Sequence, residues 1–418
     1  MVSYPADERE LIPFPHQRND QEIPMKIAQI APPWVPIPPP NYGGTENVLF
    51  HLVEQQVAQG HDVTLFAPAD ARTSARLVSF FPHSLLQENV PWTMHLKAFY
   101  HLQKALEQVE AQDFDIVHTH LSSSADLYLF PLTAHLVMAH VTTLHSCFPF
   151  DHTPDGWCGD ADTYYMDWAP SVPVVAISES ARAQSHFPLN FVGVVHNGVE
   201  TRQISLPPQK QGAYFVWLGR FVPEKGAHLA IEAARRADVS LILAGTIDRH
   251  VPGSVCYFSE MIQPQIDGEK VIYIGPVDAQ QKRLLLGSAR GLLNPINWEE
   301  PFGMVTIEAM LSCCPVISFD RGAARELIIH GKTGFLVHTL DEMVQSIARI
   351  HEIDREITRL HVESDFSARR MAERYTQIYQ QVIAMNTNRA AEERRKSTQR
   401  LPAALISSPL DTRNFSAN

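Results

Sequence analysis

The stretch MKIAQIAPPWVPIPPPNYGGTENVLFHLVEQQVAQGHDVTLFAP (residues 25–68) decides the fold class. Its two ends, MKIAQIAP (25–32) and VTLFAP (63–68), are short apolar runs bounded by proline or aspartate, which is typical of buried strands. Between them, ENVLFHLVEQQVAQG (46–60) has apolar residues at helical spacing and ends on Gly60, a residue suited to a helix C-terminus. This order predicts a βαβ unit with parallel strands.

Apolar runs of the same kind continue along the chain in two series that alternate with helical patterns. The first series adds FDIVHTH (114–120), VTTLHS (141–146) and VVAISES (174–180). After a polar, Pro-containing segment at 201–212, the second series consists of YFVWLGR, SLILAGT, VIYIGP, GLLNPI and PVISFD. Two such series predict an α/β protein with two doubly wound parallel-sheet domains.

The sequence predicts five segments. An N-terminal extension covers residues 1–24, and the two sheet domains cover 25–205 and 206–365. An amphipathic helix follows at 366–385. The remainder, 386–418, is polar and aperiodic, which predicts a disordered tail.

Composition and charge limit the classes of function. Of the 418 residues, 45% are hydrophobic and 19% are charged, which excludes a wholly disordered chain. Lys and Arg number 34 against 46 Asp and Glu, a net charge of -12. Because nucleic acids are bound by basic surfaces, this balance argues against a nucleic-acid partner. The sequence also lacks G-x-S-x-G, Walker A and G-x-G-x-x-G motifs, which disfavours a hydrolase, an NTPase or an NAD-dependent enzyme.

We expect neither a secretory signal peptide nor a transmembrane helix in this sequence. The polar, Pro-interrupted opening residues lack the apolar core of a signal peptide, and no apolar run of about 18 residues predicts a transmembrane helix. We therefore expect a cytoplasmic protein, while peripheral contact with a membrane stays open. Five cysteines without a C-x-x-C pair predict neither a disulfide scaffold nor a structural zinc site.

Ligands of open parallel sheets bind beyond the carboxyl ends of the strands, so the residues that follow each predicted strand are the candidates. After the first strand, Gly43 and Gly44 let the backbone approach a ligand just before a helix whose N-terminus can bind an anion. An ordinary strand-to-helix turn is the alternative. In the second series, Arg220 and Lys225 place two cations at one strand end, which suits a diphosphate. Two solvated surface charges are the alternative.

The segment NPINWEEPFGMVTIEAMLSCCPVISFD (294–320) is the densest in candidate residues. Glu300 and Glu308 are eight apart and share a helix face if a helix begins near Phe302. The exposed amides of such a helix N-terminus, at Phe302, Gly303 and Met304, could bind an anion or sugar hydroxyls. A single solvated face with two glutamates is the alternative.

Histidines and paired aspartates raise the question of a metal. His118 and His120 lie two apart and share one side of a strand, yet no third ligand with suitable spacing follows. The Asp-x-Asp pairs that begin at Asp113 and Asp160 are interpreted as structural. We therefore predict no metal site.

Five ordered motifs cross both predicted domains: PPPNYGGTE (38–46), DIVHTH (115–120), GRFVPEKG (219–226), EPFGMVTIEAM (300–310) and GAARELIIHGKTGFLV (322–337). Together they resemble the motifs of the retaining glycosyltransferases of family 4, over about residues 25–385. The resemblance implies the GT-B fold, in which two Rossmann-like domains face each other across a cleft.

The resemblance also implies a site for a nucleotide-sugar donor. Arg220 and Lys225 would clamp the diphosphate, and Glu308 would hold the ribose hydroxyls. Glu300 would lie close to the donor sugar, and His120 near its reacting face. The remaining donor contacts would come from Gly44 and from the amides of Phe302, Gly303 and Met304.

The implied reaction moves a hexose from a nucleoside-diphosphate sugar to an acceptor with retention of anomeric configuration. A UDP-glucose-type donor is favoured, with GDP- or ADP-sugars as alternatives, and the acceptor is a sugar, a lipid or a small metabolite. No cofactor and no metal are expected, because Arg220 and Lys225 take the electrostatic role of a metal. A non-catalytic nucleotide-sugar-binding protein and another GT-B enzyme, such as an epimerase or a phosphorylase, are the alternatives. The oligomeric state stays open.

One residue departs from the family motifs, and one segment is a candidate for binding the acceptor. Cys313 stands where the family commonly has glycine at a left-handed helix end, so it carries a conformational cost. Cys313 and Cys314 are interpreted as small apolar groups rather than a redox switch. The segment 147–168 is rich in aromatic and acidic residues, so it either binds the acceptor or forms a structural loop.

Overall fold

The computed structural model describes residues 23–40, 43–92, 94–122, 128–146, 161–185, 188–201, 212–248 and 252–399. Seven parallel strands form the first sheet, in the order β3-β2-β1-β4-β5-β6-β7. They are β1 (Lys26–Ile30), β2 (Asp62–Phe66), β3 (Arg76–Val78), β4 (Ile116–Leu121), β5 (His140–Leu144), β6 (Pro173–Ala176) and β7 (Asn190–Val194).

Six parallel strands form the second sheet, in the order β10-β9-β8-β11-β12-β13. They are β8 (Tyr214–Arg220), β9 (Ser240–Thr246), β10 (Val271–Tyr273), β11 (Leu292–Asn294), β12 (Val316–Phe319) and β13 (Gly334–Val337). Two doubly wound parallel sheets confirm the predicted fold class.

Helices cover the faces of both sheets. In the first part of the chain they are α1 (Gly44–Ala58), α2 (His95–Glu110), α3 (Leu129–Thr133), α4 (Ala161–Trp168) and α5 (Glu179–Ala183). In the second part they are α6 (Ala227–Arg236), α7 (Pro252–Tyr257), α8 (Ala279–Ser288), α9 (Met304–Leu311), α10 (Ala324–Leu327), α11 (Leu340–Arg349), α12 (Arg355–Asp365) and α13 (Ala368–Gln399). In the described part of the chain, no helix is both long enough and apolar enough to cross a membrane.

The central strands are buried because helices pack on both sides of each sheet, whereas the edge strands β3 and β7 are only partly buried or exposed. All six residues of β4 are buried, as expected of a central parallel strand that is covered on both faces. Helix α1 begins beside Gly43, and Gly60 just beyond its end has a left-handed φ of 91°, as expected of a glycine that ends a helix.

The first sheet is covered by a helix from the far end of the chain. Helix α13 places Met371, Tyr375, Tyr379 and Val382 in the same apolar core as β1, β2 and α1. Where the chain enters this helix, Ala368 N donates to Val199 O over 2.8 Å. The chain just after β7 therefore lies beside the entry into α13 at this point.

Helix α13 is also longer than predicted. Residues 386–399 continue it to Gln399, which corrects the prediction of disorder for this part of the tail. The reason is composition: Ala, Glu, Arg and Lys are strong helix formers even without an apolar stripe. Residues 400–418, like residues 1–22 and the interdomain segment 202–211, lie outside the described residues.

Candidate active site

The strand order of each sheet reverses at one point, and the predicted site residues lie there. In the first sheet the reversal falls between β1 and β4, and in the second between β8 and β11. Gly43 follows β1, His120 lies near the end of β4, Arg220 ends β8 and Glu300 follows β11. Such reversal points, at the carboxyl ends of the strands, are where ligands bind in open α/β sheets.

Lys225 and Glu300 form the central ion pair of the site. Lys225 Nζ donates to Glu300 Oε1, and the two side chains are only 17% and 16% exposed. Lys225 Nζ also lies 5.7 Å from the ring centroid of Trp298, and its carbonyl accepts from Trp217 Nε1 over 2.9 Å. Glu300 Oε2 is buried without a hydrogen-bond partner among the described residues, so it can accept from a ligand hydroxyl.

Two glycines bring the Lys225 and Glu300 loops together. Gly226 has φ 69°, and a Cβ there would lie 2.1 Å from Pro295 O. Gly322 has φ 56°, and a Cβ there would lie 2.3 Å from Glu300 O. No other residue type fits these close backbone approaches, so both glycines hold the loop that carries Glu300.

Helix α9 presents its N-terminal amides beside this loop. Gly303 precedes the helix with φ 101°, and among the described residues no side chain caps the helix start. Phe302 is buried in the second domain, whereas Met304 packs against apolar cores of both domains. The uncapped amides are suited to an anion or sugar oxygens, as predicted.

The helix begins at Met304, two residues later than expected. Glu300 therefore lies in the preceding loop, so the predicted common helix face of Glu300 and Glu308 is wrong. Glu308 instead pairs with Lys282 of α8, with Nζ 2.5 Å from Oε1. Lys282 was missed because nothing in QQKRLLL distinguishes it from a surface lysine.

Helix α1 of the first domain faces the Lys282–Glu308 pair. Burial lowers the pKa of His51, although the nearby negative charges of Glu200 and Glu308 act to raise it. The Glu308 carboxylate therefore lies where the two domains meet, as a residue that binds a ligand between them would.

The glycine pair and Arg220 occupy the expected places. A Cβ on Gly43 would lie 2.7 Å from Pro39 Cβ and 3.1 Å from Glu46 Oε2, whereas one on Gly44 would meet nothing within 4 Å. Packing therefore requires a glycine at position 43, whereas a side chain at position 44 would extend into open space. Arg220 is exposed at the end of β8 and stays a predicted diphosphate ligand.

His120 does not lie open to the cleft. Its ring is 1% exposed, with Nε2 2.8 Å from Gln29 Oε1 and Nδ1 3.0 Å from His145 Nε2. His118 is bonded on both nitrogens as well, to Tyr379 and Thr143 at 2.7 Å each. Burial holds the pKa of both rings well below the usual range, so both are neutral.

A contact between the domains holds the end of the Glu300 loop, just before α9. Ser178 Oγ donates to Pro301 O over 2.6 Å. Beside it, Glu326 accepts from the amides of Glu179 (2.9 Å) and Ser180 (2.8 Å) and contacts His196 (2.8 Å). Although burial opposes ionisation, these hydrogen bonds lower the pKa of Glu326. The motif GAAREL contains this glutamate, but its partners, 130 or more residues away, could not be inferred.

The other candidates have structural roles or lie outside the description. Asp115 Oδ2 accepts from the amide of Lys26 over 2.7 Å, and Asp113 is a fully exposed partner of the Lys26 ammonium group. Cys313 has a left-handed φ of 56°, as its place at a glycine position predicts. In the predicted acceptor segment, residues 147–160 lie outside the described residues.

Comparison with known proteins assigns the sequence to a family. Residues 42–203 match the family model described as Glycosyltransferase Family 4, and residues 199–363 match Glycosyl transferases group 1. The phosphatidyl-myo-inositol mannosyltransferase of Mycobacterium leprae is 25% identical over 80% of this chain and 89% of its own length. Spore coat protein SA of Bacillus subtilis is 23% identical over 85% of this chain and 99% of its own length.

Solved structures share the fold. Anabaena HepE in complex with UDP and glucose superposes with a TM-score of 0.62, at 18% identity over 84% of this chain and 98% of that chain. Sucrose-phosphate synthase of Thermosynechococcus elongatus superposes with a TM-score of 0.67, at 19% identity over 86% of this chain and 100% of that chain.

Proposed function

We propose that this chain, which belongs to the glycosyltransferases of family 4 and has their GT-B fold, moves a hexose from a nucleoside-diphosphate sugar to an acceptor hydroxyl with retention of anomeric configuration. One observation carries the proposal. The Lys225–Glu300 pair, with its unpartnered Oε2, lies beside the uncapped N-terminus of α9 at the reversal point of the second sheet.

The charges at this point suit the breaking of a sugar–phosphate bond. As the anomeric carbon leaves the diphosphate, negative charge grows on the phosphate oxygens, and preorganised cations and amides stabilise it. Lys225, Arg220 and the amides that begin α9 lie at adjacent strand ends and supply that environment. Glu300 Oε2 can accept a hydroxyl of the transferred hexose and fix its orientation.

Glu308 is proposed to hold the ribose of the donor. Its side chain is only 16% exposed. Lys282 donates to Oε1, so Oε2 is the oxygen that can accept from a ligand. A carboxylate oxygen accepts well from a ribose hydroxyl. A UDP-glucose-type donor stays the favoured one, and the GDP- and ADP-sugars are the alternatives that the donor panel tests.

Retention follows if the acceptor attacks from the face that the diphosphate leaves. The bond between the anomeric carbon and the phosphate oxygen breaks, the bond to the acceptor oxygen forms, and the acceptor proton passes to the departing phosphate. No protein base is needed for this transfer. Because Lys225 and Arg220 neutralise the phosphate, we propose that the reaction also needs no divalent metal.

The test is a donor and acceptor panel. UDP-, GDP- and ADP-hexoses are incubated with sugar, lipid and small-metabolite acceptors, with and without EDTA, and release of the nucleoside diphosphate is measured. The anomeric configuration of the product is read by NMR. We expect transfer that survives EDTA, and its loss in Arg220→Ala and Glu308→Ala but not in Arg235→Ala, a surface control on α6.

Other outcomes separate the alternatives. Donor binding without turnover would identify a non-catalytic binding protein. Conversion of the sugar without any acceptor would identify an epimerase. Variants Arg220→Ala and Glu308→Ala that bind and turn over donor like the wild type would show that the site lies elsewhere.

A further inference from the structure

His196 lies where the two domains meet, packed between two phenylalanines from the second half of the chain. It follows β7, and its ring centroid is 6.0 Å from that of Phe302 and 5.5 Å from that of Phe366. Phe302 lies at the end of the Glu300 loop, Phe366 lies between α12 and α13, and both are buried. An imidazole ring of the first domain therefore packs against the loop that carries Glu300.

The hydrogen bonds of His196 fix which of its nitrogens carries the proton. Arg374 of α13 donates from Nη1 to His196 Nδ1 over 3.4 Å, and a guanidinium group can only donate. His196 Nδ1 is therefore an acceptor, and the proton is on Nε2, which lies 2.8 Å from Glu326 Oε2. His196 thus accepts from Arg374 and donates to Glu326.

Glu326 of the second domain receives three hydrogen bonds from the first. Besides His196, the amides of Glu179 and Ser180, in the first turn of α5, donate to its two oxygens. Although burial opposes ionisation, the hydrogen bonds from His196, Ser180 and Glu179 lower the pKa of Glu326, so the carboxylate is charged near pH 7. Hydrogen bonds to a charged group are stronger than neutral ones, so this contact between the domains is a firm one.

A continuous chain of hydrogen bonds thus runs from α13 through His196 to α10 and on to α5. We call Arg374, His196 and Glu326 the interdomain joint. We propose that the interdomain joint positions the Glu300 loop for the transfer of the hexose, without itself contacting the substrate. The inference rests on the proposed function and adds positioning residues to that site.

The link from the interdomain joint to the loop is Ser178, the residue that caps α5. Glu326 holds the first amides of α5, and Ser178 Oγ donates to Pro301 O, one residue beyond Glu300. The ring of His196 packs on Phe302, the next residue of the same loop. The end of the loop is therefore fixed against the first domain by one hydrogen bond and one ring contact, and both depend on the interdomain joint.

The position of the loop matters because the two substrates are expected on different domains. The proposed donor contacts Arg220, Lys225 and Glu308 all lie in the second domain, whereas the acceptor is expected in the first. A misplacement of about 1 Å between reacting groups can reduce turnover about 100-fold. Loosening the interdomain joint should therefore slow the transfer step more than it weakens donor binding.

Two substitutions weaken the interdomain joint without leaving a cavity. Glu326→Gln keeps the size of the side chain but loses its charge and one acceptor oxygen, and His196→Phe keeps an aromatic ring but neither hydrogen bond. Glu54→Gln is the matched control. Glu54 also accepts from a backbone amide and from side chains, but its partners, Thr73 and Ser74, belong to the same domain.

Hydrogen exchange read by mass spectrometry tests the interdomain joint without any substrate. The segment 296–303 contains the Glu300 loop, in which the amides of Asn297 and Glu300 are hydrogen-bonded. We expect this segment to exchange about tenfold faster in Glu326→Gln and His196→Phe, the effect of losing one hydrogen bond, and to be unchanged in Glu54→Gln.

Kinetics with the donor and acceptor found for the wild type test the consequence for the reaction. After urea unfolding has shown that each variant is folded, kcat should fall about tenfold to hundredfold in Glu326→Gln and His196→Phe. The Kd of the free nucleoside diphosphate, measured by calorimetry, should stay within about threefold of the wild type. Glu54→Gln should match the wild type in both measurements.

The results that would overturn the inference are distinct from failure of the proposed function. Unchanged exchange of 296–303 in both variants overturns the inference, whatever the activity. So does wild-type kcat in a variant whose loop exchanges faster, and so does a loss of diphosphate affinity as large as the loss of kcat, because the interdomain joint then acts on donor binding. A wild type that transfers no hexose from any nucleotide sugar refutes the proposed function, while the exchange experiment still decides whether the interdomain joint holds the loop.

Discussion

Replacement of Gly322 by alanine should displace Glu300 without touching its side chain. Gly322 has φ 56°, and a Cβ there would lie 2.3 Å from Glu300 O and 2.4 Å from Glu300 N. Ordinary carbon contacts are about 3.5 Å or longer, so the Glu300 backbone must retreat by about 1 Å. A misplacement of about 1 Å in a positioning group can reduce turnover about 100-fold.

Gly331→Ala is the matched control. Gly331 also has a left-handed φ, 75°, but a Cβ there would meet nothing within 4 Å. Both variants therefore carry the conformational cost of alanine in this region, about 1–2 kcal/mol, and only Gly322→Ala adds the collision with Glu300. The difference between them isolates the displacement.

The assay compares kcat for hexose transfer in the two variants, after urea unfolding has shown that both are folded at the assay temperature. We expect Gly322→Ala to turn over about 100-fold more slowly than Gly331→Ala. Turnover of folded Gly322→Ala within about threefold of the control would show that the position of Glu300 does not limit the reaction, and the role of the Lys225–Glu300 pair would have to be abandoned.

Three further predictions concern charge, backbone and pH. Lys282→Met leaves the Glu308 carboxylate unpaired, so its negative charge repels the nearby donor phosphates. Calorimetry at low salt should show a loss of about fivefold in nucleoside-diphosphate affinity. The control variant Arg283→Met, at an exposed neighbouring position, should show no such loss. Cys313→Gly relieves a φ of 56° and should raise the free energy of unfolding in urea by about 1 kcal/mol; no gain would mean that the cysteine contacts compensate. His101 is fully buried, which lowers its pKa to about 4. Below pH 6.5 the unfolded chain therefore takes up a proton that the folded chain does not. Between pH 6.5 and 4 this group should lower the free energy of unfolding by up to about 1.4 kcal/mol per pH unit. His101→Phe should reduce that slope, and an unchanged slope would contradict the burial argument.

Most of the fold could be predicted because parallel strands covered on both faces leave a continuous apolar signature. Runs such as DIVHTH and YFVWLGR each became a strand. The strands β3 (RLV), β7 (NFVGV) and β13 (GFLV) were missed, because three to five residues carry too little pattern to stand apart from a loop. The end of α13 was missed for a different reason: intrinsic helix propensity acts there without apolar periodicity.

The site could be predicted by residue type but not by pairing. Lys225 and Glu300 were both candidates, yet they are 75 positions apart, and only the strand order brings their loops together. For His120, the sequence predicted the position of the residue but not its burial. A motif marks its position, but its burial depends on Gln29 and His145, which come from neighbouring strands of the sheet.

The acidic balance of the chain also has a local consequence at the site. The two lysines nearest to the proposed donor are each paired with a glutamate, Lys225 with Glu300 and Lys282 with Glu308. Each pair has little net charge, so Lys225 and Lys282 act on a diphosphate through direct contact with the ammonium group rather than through a long-range positive field. The N-terminal amides of α9 and Arg220, which is exposed at the end of β8, add to the local positive potential available to a diphosphate. We therefore expect Arg220→Ala to weaken donor binding more at low salt than at high salt, because salt screens the attraction between an exposed guanidinium group and a diphosphate. Lys225 and Lys282 also orient the carboxylates that are proposed to contact the sugar and the ribose.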